Sequence, residues 1–210
     1  MDTLIFKTRD LQFNNMIDYC DIAIHEYKAT FITGESGTGK STLLKLFNGT
    51  LSQSNGEIFY SGKSIQEADT ILLRKEVSLI SQGIFLFDAS IKENFEMFYE
   101  YREEAPPTDD EINEFLRICC IFFPLDKDCT TMSGGERQRI YMAIYLSFIP
   151  KVIMLDEPTS ALDTKNSHDV IENILLFCKK NHITAIVVSH DKELTKRFAE
   201  DIIEIRKGVK

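Results

Sequence analysis

The sequence predicts an α/β fold: a mainly parallel sheet covered by helices on both faces, an N-terminal antiparallel β lobe and an inserted helical subdomain. Three observations predict it. Apolar runs rich in β-branched residues recur at 29–33, 76–80, 152–155 and 183–188 and alternate with helical periodicity, the pattern of parallel strands buried on both faces. A glycine-rich loop lies between the first of these runs and a helical pattern. Between Gln82 and Ser133 the chain turns charged and aromatic, which sets a helical stretch apart from the sheet.

Each region has its own signature. From Thr3 to about Ile24, and again from Gly56 to Tyr60, short strand patterns run between Asn and Gly turns, the composition of an antiparallel lobe. In the inserted stretch, Ala105-Pro106-Pro107 breaks any helix, and Asp109-Asp110-Glu111 suits the first turn of the next. The chain is therefore expected to be a single domain over 1–210, with 1–82 and 133–210 forming the core and β lobe and 83–132 the helical subdomain. At 210 residues and 43% hydrophobic it can fill a core without staples.

Composition also excludes classes. The longest apolar stretches fall far short of the ~20 residues that cross a bilayer as a helix, and the N-terminus lacks a basic start before a long apolar run. A cytosolic chain is expected. Its five cysteines make no CxxC pair and have no His at ligand spacing, so they are expected reduced and mostly buried, with one of Cys119 and Cys120 in the core. A net charge of -9 weighs against a nucleic-acid surface and confines any phosphate chemistry to a local site.

That local site is legible. Gly34-Glu-Ser-Gly-Thr-Gly-Lys-Ser41 fits GxxxxGK[ST], follows the run 29–33 and precedes the helical pattern from Thr42. Gly34, Gly37 and Gly39 let the backbone curl so that N–H groups and a helix N-terminus converge on one anion. The binding loop is then Gly34, Glu35, Ser36, Gly37, Thr38, Gly39, Lys40, Ser41 and Thr42, with Lys40 reaching the β- and γ-phosphates and Ser41 binding Mg²⁺. A second half follows the run 152–155, where Asp156 and Glu157 emerge at the sheet's C-terminal edge before Pro158. Asp156 suits Mg²⁺, and Glu157 suits a general base for the attacking water. These motifs mark a P-loop NTPase with a RecA-like sheet.

The class comes from Thr131-Met-Ser-Gly-Gly-Glu-Arg-Gln-Arg139, which closely resembles the signature sequence of ATP-binding cassette (ABC) proteins, with Met132 where Leu is usual and Glu136 a tolerated variant. Ser133 with Glu136 is also a capping box for the helix that follows, and a capped N-terminus is itself an anion site. The resemblance implies that Ser133, Gly134, Gly135 and Glu136 contact the ATP held by an opposite subunit. It covers nearly the whole chain and implies roles for three more positions: Gln82 at Mg²⁺ or the attacking water, Asp163 in Ser160-Ala-Leu-Asp163 along a dimer interface, and His190 at the γ-phosphate. The family's adenine-stacking aromatic falls near Leu11, with Phe13 two residues on as the aromatic that could supply it.

What the resemblance implies is MgATP hydrolysis in a homodimer or a pair with another cassette ATPase, on the cytoplasmic face of a membrane beside a permease subunit, with no nucleic acid. About ninety residues without heptads separate loop and signature, unlike the coiled-coil chromosome and repair members. The stretch Ser81-Gln-Gly-Ile-Phe-Leu-Phe-Asp-Ala-Ser-Ile-Lys-Glu-Asn94 resembles exporter-type subunits, with Phe85 and Phe87 either lining a groove for a permease helix or filling the helical core. Overall likeness points to the ATPase subunit of bacterial iron-efflux exporters. The rival reading is a soluble regulatory ATPase without a permease.

Overall fold

The structure is a computed structural model that describes residues 3–14, 16–159 and 164–206, with side chains of 164–167 excepted. The N-terminal lobe is antiparallel. Strand β1 (Leu4–Phe13) pairs with β2 (Ile17–Asp18) and β3 (Ala23–His25), and also with β5 (Asn55–Tyr60), which carries β6 (Lys63–Ser64). The second sheet is parallel in the order β10-β4-β9-β8-β7, from β4 (Ala29–Thr33), β7 (Val77–Ile80), β8 (Val152–Asp156), β9 (Thr184–Val188) and β10 (Asp201–Glu204). Helices α1 (Lys40–Phe47), α2 (Thr70–Glu76), α3 (Ile91–Tyr101), α4 (Asp109–Ile118), α5 (Gly134–Ser147), α6 (Thr164–Lys180) and α7 (Lys192–Phe198), with 3-10 turns at Ile65–Glu67 and Cys129–Thr131, complete the described elements.

Unbroken apolar runs became parallel strands because both faces are covered. Val152, Met154, Ile186 and Val188 pack with α1 and the β lobe, whereas Ile153, Leu155, Ala185 and Val187 pack with α3 to α7. Successive side chains alternate faces, so each strand feeds two cores at once. The expected strands are all present, and 201–204 adds an edge strand beside β4.

Between β7 and α5 the chain forms α3 and α4. Pro106 and Pro107 lie in the gap, and α4 begins at Asp109 with Thr108 and Glu111 in a reciprocal capping box. Cys119 is buried and Cys120 only partly so, the division expected of the pair. Among the described residues no helix is long and apolar enough to cross a membrane.

One buried polar side chain anchors the loop after β7. Asn94 is fully buried; its Oδ1 accepts the Phe87 N–H at 2.8 Å, while its Nδ2 donates to the carbonyls of Ser90 at 2.9 Å and Phe87 at 3.2 Å. Alanine at this position leaves the Phe87 N–H without its partner and takes a second donor from the Ser90 and Phe87 carbonyls, which keep the Asn94 and Ala89 N–H groups. Asn94→Ala is expected to destabilise the fold by about 1–3 kcal/mol, measured by chemical denaturation, and Asn94→Asp, which cannot donate, should lose at least as much.

Candidate functional site

The site forms where the parallel strands end. Because β4, β9 and β8 run side by side in the same direction, the segments leaving their C-terminal ends meet along one edge, the place where open α/β sheets hold ligands. After β4 the chain passes through two glycines that no other residue replaces easily. A Cβ on Gly34 would lie 2.2 Å from the Ile205 carbonyl oxygen, and Gly39 caps α1 in the left-handed region at φ 94°. The tip at 35–37 is exposed. The first N–H groups of α1 have no partner within the helix and remain available to an anion.

Lys40 sits deeper than a phosphate ligand on an open surface would. It is 5% exposed, and its ammonium donates to the carbonyls of Gly34 at 3.0 Å and Glu35 at 2.8 Å, which closes the loop on itself. Burial lowers its pKa below the usual lysine value, opposed by the negative charge of Glu157 and Asp156. The loop and β8 are tied by Ser41, whose hydroxyl donates to Asp156 Oδ1 at 2.9 Å. Asp156 is 5% exposed, and burial raises its carboxyl above the ordinary range, countered by the Ser41 hydrogen bond and reinforced by Glu157.

Beside it, Glu157 is a non-glycine residue at φ 49°, a conformation that costs on the order of 1 kcal/mol and re-aims the side chain as the strand ends. Its N–H donates to the Val188 carbonyl at 3.0 Å, and its Oε1 lies 3.1 Å from His190 Nε2. Residues 33 positions apart thus meet at one edge. A cavity of about 640 Å³ adjoins His190, lined by Gly34, Glu35, Ser189 and His190 among others.

The remaining expected residues fall elsewhere. Gln82 is exposed in the turn after β7. Ser133 caps α5: its hydroxyl and N–H both donate to Glu136 Oε2 at 2.8 Å, which lowers that carboxyl's pKa, and the Glu136 N–H donates back to Ser133 Oγ at 3.3 Å. Ser133 and Gly134 are exposed and, with Gly135 and Glu136, line no part of that cavity. Leu11 is fully buried and cannot stack on a base, whereas Phe13 is half-buried at the end of β1. Asp163 lies outside the described residues.

Three participants escaped sequence reasoning. Asp191 caps α7 by accepting the N–H groups of Glu193 and Leu194, and its other oxygen meets His168 Nε2 at 3.1 Å, which braces the segment after His190 against α6. The Asp191 cap has a sequence signal, a carboxylate just before a helical pattern; His168 has none. Tyr19, whose hydroxyl donates to the Gly39 carbonyl, had no signal either.

The family model described as ABC transporter matches residues 17–160, more than half of the chain. The chain belongs to the ABC transporter family. It is 34% identical over 184 residues to the Probable iron export ATP-binding protein FetA of Escherichia coli (strain K12), a match covering 88% of this chain and 80% of that protein. It is 28% identical to the Spermidine/putrescine import ATP-binding protein PotA of Borrelia garinii subsp. bavariensis, over all of this chain but only 62% of that longer protein. Among solved structures, cbiO1 from Clostridium perfringens, part of the ABC transporter complex cbiONQ, superposes with a TM-score of 0.84 at 27% identity, covering all of this chain and 88% of that one.

An ABC ATPase takes ATP with Mg²⁺, and the donors present fit that cation. Ser41 and Asp156 supply a hydroxyl and a carboxylate already within 2.9 Å. Among the described residues no cluster of three His, Cys, Asp or Glu competes for a metal. Mg²⁺ is held by one or two protein oxygens with the rest from phosphate and water, which is what this pair offers. Bound there, the ion would neutralise charge on the β- and γ-phosphates. Lys40→Ala should weaken MgATP binding by about 1.5–3 kcal/mol, roughly ten- to a hundredfold, in calorimetric titration, with an unchanged far-ultraviolet circular dichroism spectrum.

Proposed function

We propose that this chain is the ATP-binding and hydrolysing subunit of a transporter, acting as a head-to-tail pair on the cytoplasmic face of a membrane and driving a separate permease. The observation that carries the reading is the exposed, Ser133-capped N-terminus of α5. It offers backbone N–H groups to an anion yet lines no part of the cavity beside its own phosphate loop. A second copy turned end for end would bring it to the γ-phosphate.

In this mechanism the Gly34–Ser41 loop and Lys40 bind the triphosphate, Glu157 accepts a proton from the attacking water, and His190 holds Glu157 in place and contacts the γ-phosphate. Asp163 runs along the pair's interface, and Gln82 links the site to a helical subdomain at 83–132. For the permease, the favoured surface is the one that Phe85 and Phe87 form beside α3, taken as the groove for a permease helix. Phe85 is exposed there, while Phe87 is half-buried between Phe85, Phe98 and Tyr101, so the pair is neither wholly core nor wholly free. We assign export as the direction and a metal ion as the cargo on the exporter-like stretch 81–94 and the identity to the E. coli relative, although relatives serve both directions.

Glu157 contributes little to ground-state binding, so Glu157→Gln should slow turnover by ~10²–10⁴-fold without weakening ATP affinity. Trapped MgATP should then hold two copies together: Glu157→Gln with MgATP is expected to elute as a dimer on size exclusion, and adding Ser133→Arg should return it to monomer. Normal turnover in the single variant sinks the base assignment, and a monomer at saturating ATP sinks the head-to-tail pair. Changing Phe85 and Phe87 together to Ser should spare basal ATPase in the isolated subunit while abolishing its stimulation by the reconstituted permease. Unaltered stimulation would rule out the groove and favour the soluble ATPase reading.

A further inference from the structure

The β lobe closes on the phosphate loop through one side chain. Tyr19 follows β2, is 6% exposed, and donates its hydroxyl to the Gly39 carbonyl at 2.9 Å. The same carbonyl accepts the Leu43 N–H at 2.8 Å, as the first intrahelical acceptor of α1. It therefore carries two donors, one from the helix and one from a residue twenty positions upstream, just after β2. The contact is close: a Cβ on Gly39 would stand 2.8 Å from the Tyr19 hydroxyl oxygen and 3.0 Å from Ile17 Cδ1.

The Gly39 carbonyl and the Lys40 N–H are opposite ends of one planar peptide unit, so fixing the oxygen fixes where the N–H points. That N–H is the first of α1, among those aimed at a bound anion. A donor on the carbonyl also polarises the peptide, making its N–H a better partner for a charged oxygen. Gly39 needs such a restraint more than its neighbours, because a glycine in the left-handed region has no side chain to hold it there. Burial pushes the Tyr19 phenol well above its ordinary pKa, so it remains a donor across the working range.

We propose that Tyr19 is a positioning residue for the triphosphate, its hydroxyl holding the Gly39–Lys40 peptide so that the Lys40 N–H is presented to a phosphate oxygen. The inference rests on assigning ATP to this loop. Tyr19 also belongs to the apolar cluster beneath the β lobe, and its ring alone would serve that purpose. What ring packing does not require is the hydroxyl bond to loop backbone.

Tyr19→Phe separates the two roles, since it keeps the ring and removes the donor. In the full chain, MgATP affinity by calorimetry and the KM for ATP should weaken about 3- to 10-fold, the loss of one hydrogen bond, while kcat at saturating MgATP stays within twofold. A ring-packing role predicts unchanged KM and affinity, because phenylalanine keeps the ring, and any partial unfolding would lower the active fraction and apparent kcat but leave KM alone. Ile58→Val, a change in the same apolar cluster, supplies that comparison: it should lower the melting midpoint without moving KM. An unchanged KM and affinity in Tyr19→Phe overturns the proposal. Failure of the wild-type chain to bind MgATP would instead overturn the reading on which it rests.

Discussion

The hydrogen bond from Ser41 to Asp156 is the contact on which the site depends. Strand β9 lies between β4 and β8, so the loop leaving β4 must cross the end of a neighbouring strand before its helix can touch the carboxylate of β8. The crossing is possible because all three strands are parallel and end at one edge, and because the glycines let the loop fold tightly enough for α1 to start there. Burial disfavours the charged form of Asp156, and the adjacent Glu157 disfavours it further. The site therefore holds a carboxylate that gains from a cationic partner, and Lys40 is the buried cation nearby, its charge disfavoured by burial more than Glu157 and Asp156 favour it. A divalent cation bound to Ser41 and Asp156 would relieve the same strain more completely, so electrostatics couples metal and nucleotide binding.

What the sequence disclosed follows from how far each signal reaches along the chain. Strands β4, β8 and β9 were legible because burial on both faces writes an unbroken apolar run, and the phosphate loop because its glycines, lysine and serine are contiguous. The capping box of Ser133 and Glu136 lies within one turn and was legible for the same reason. Contacts that join distant segments leave no such trace. The Glu157–His190 approach was implied only by resemblance, the His168–Asp191 pair was not visible at all, and nothing in the run Ile17 to Tyr19 marks Tyr19 as reaching the loop. The depth of Lys40 was missed for a related reason: a motif specifies which residue meets the phosphate, not which carbonyls hold its ammonium.

The helical insertion shows a second kind of hidden constraint. Its second helix was readable from the prolines and the acidic run 109–111, but the short loop from Gln82 to Ser90 could as well have been a passive connector. Asn94 makes it otherwise. By satisfying the backbone on both sides of Phe87, a single buried amide fixes where that aromatic stands relative to Phe98 and Tyr101. Leu86, between the two aromatics, is buried in the main core. The loop is therefore pinned at Leu86 and Phe87 and exposed at Gln82, four residues earlier.

Such an arrangement gives a physical route between nucleotide and partner that needs no long-range rearrangement of the sheet. Gln82 lies directly after β7, the outermost strand beside β8, and β8 carries Asp156 and Glu157. If bound nucleotide draws Gln82 inward, the displacement cannot dissipate along the chain, because Asn94 fixes the backbone at Phe87 and the core grips Leu86. In the proposed function it would be passed to the unit to which both are attached, α3 with its aromatic face. The exposed ring of Phe85 sits between the moving glutamine and the fixed asparagine, so its position depends on both. Under the proposed function, docking energy from a partner against that ring would be linked to occupancy of the phosphate site, and linkage of this kind acts equally in both directions.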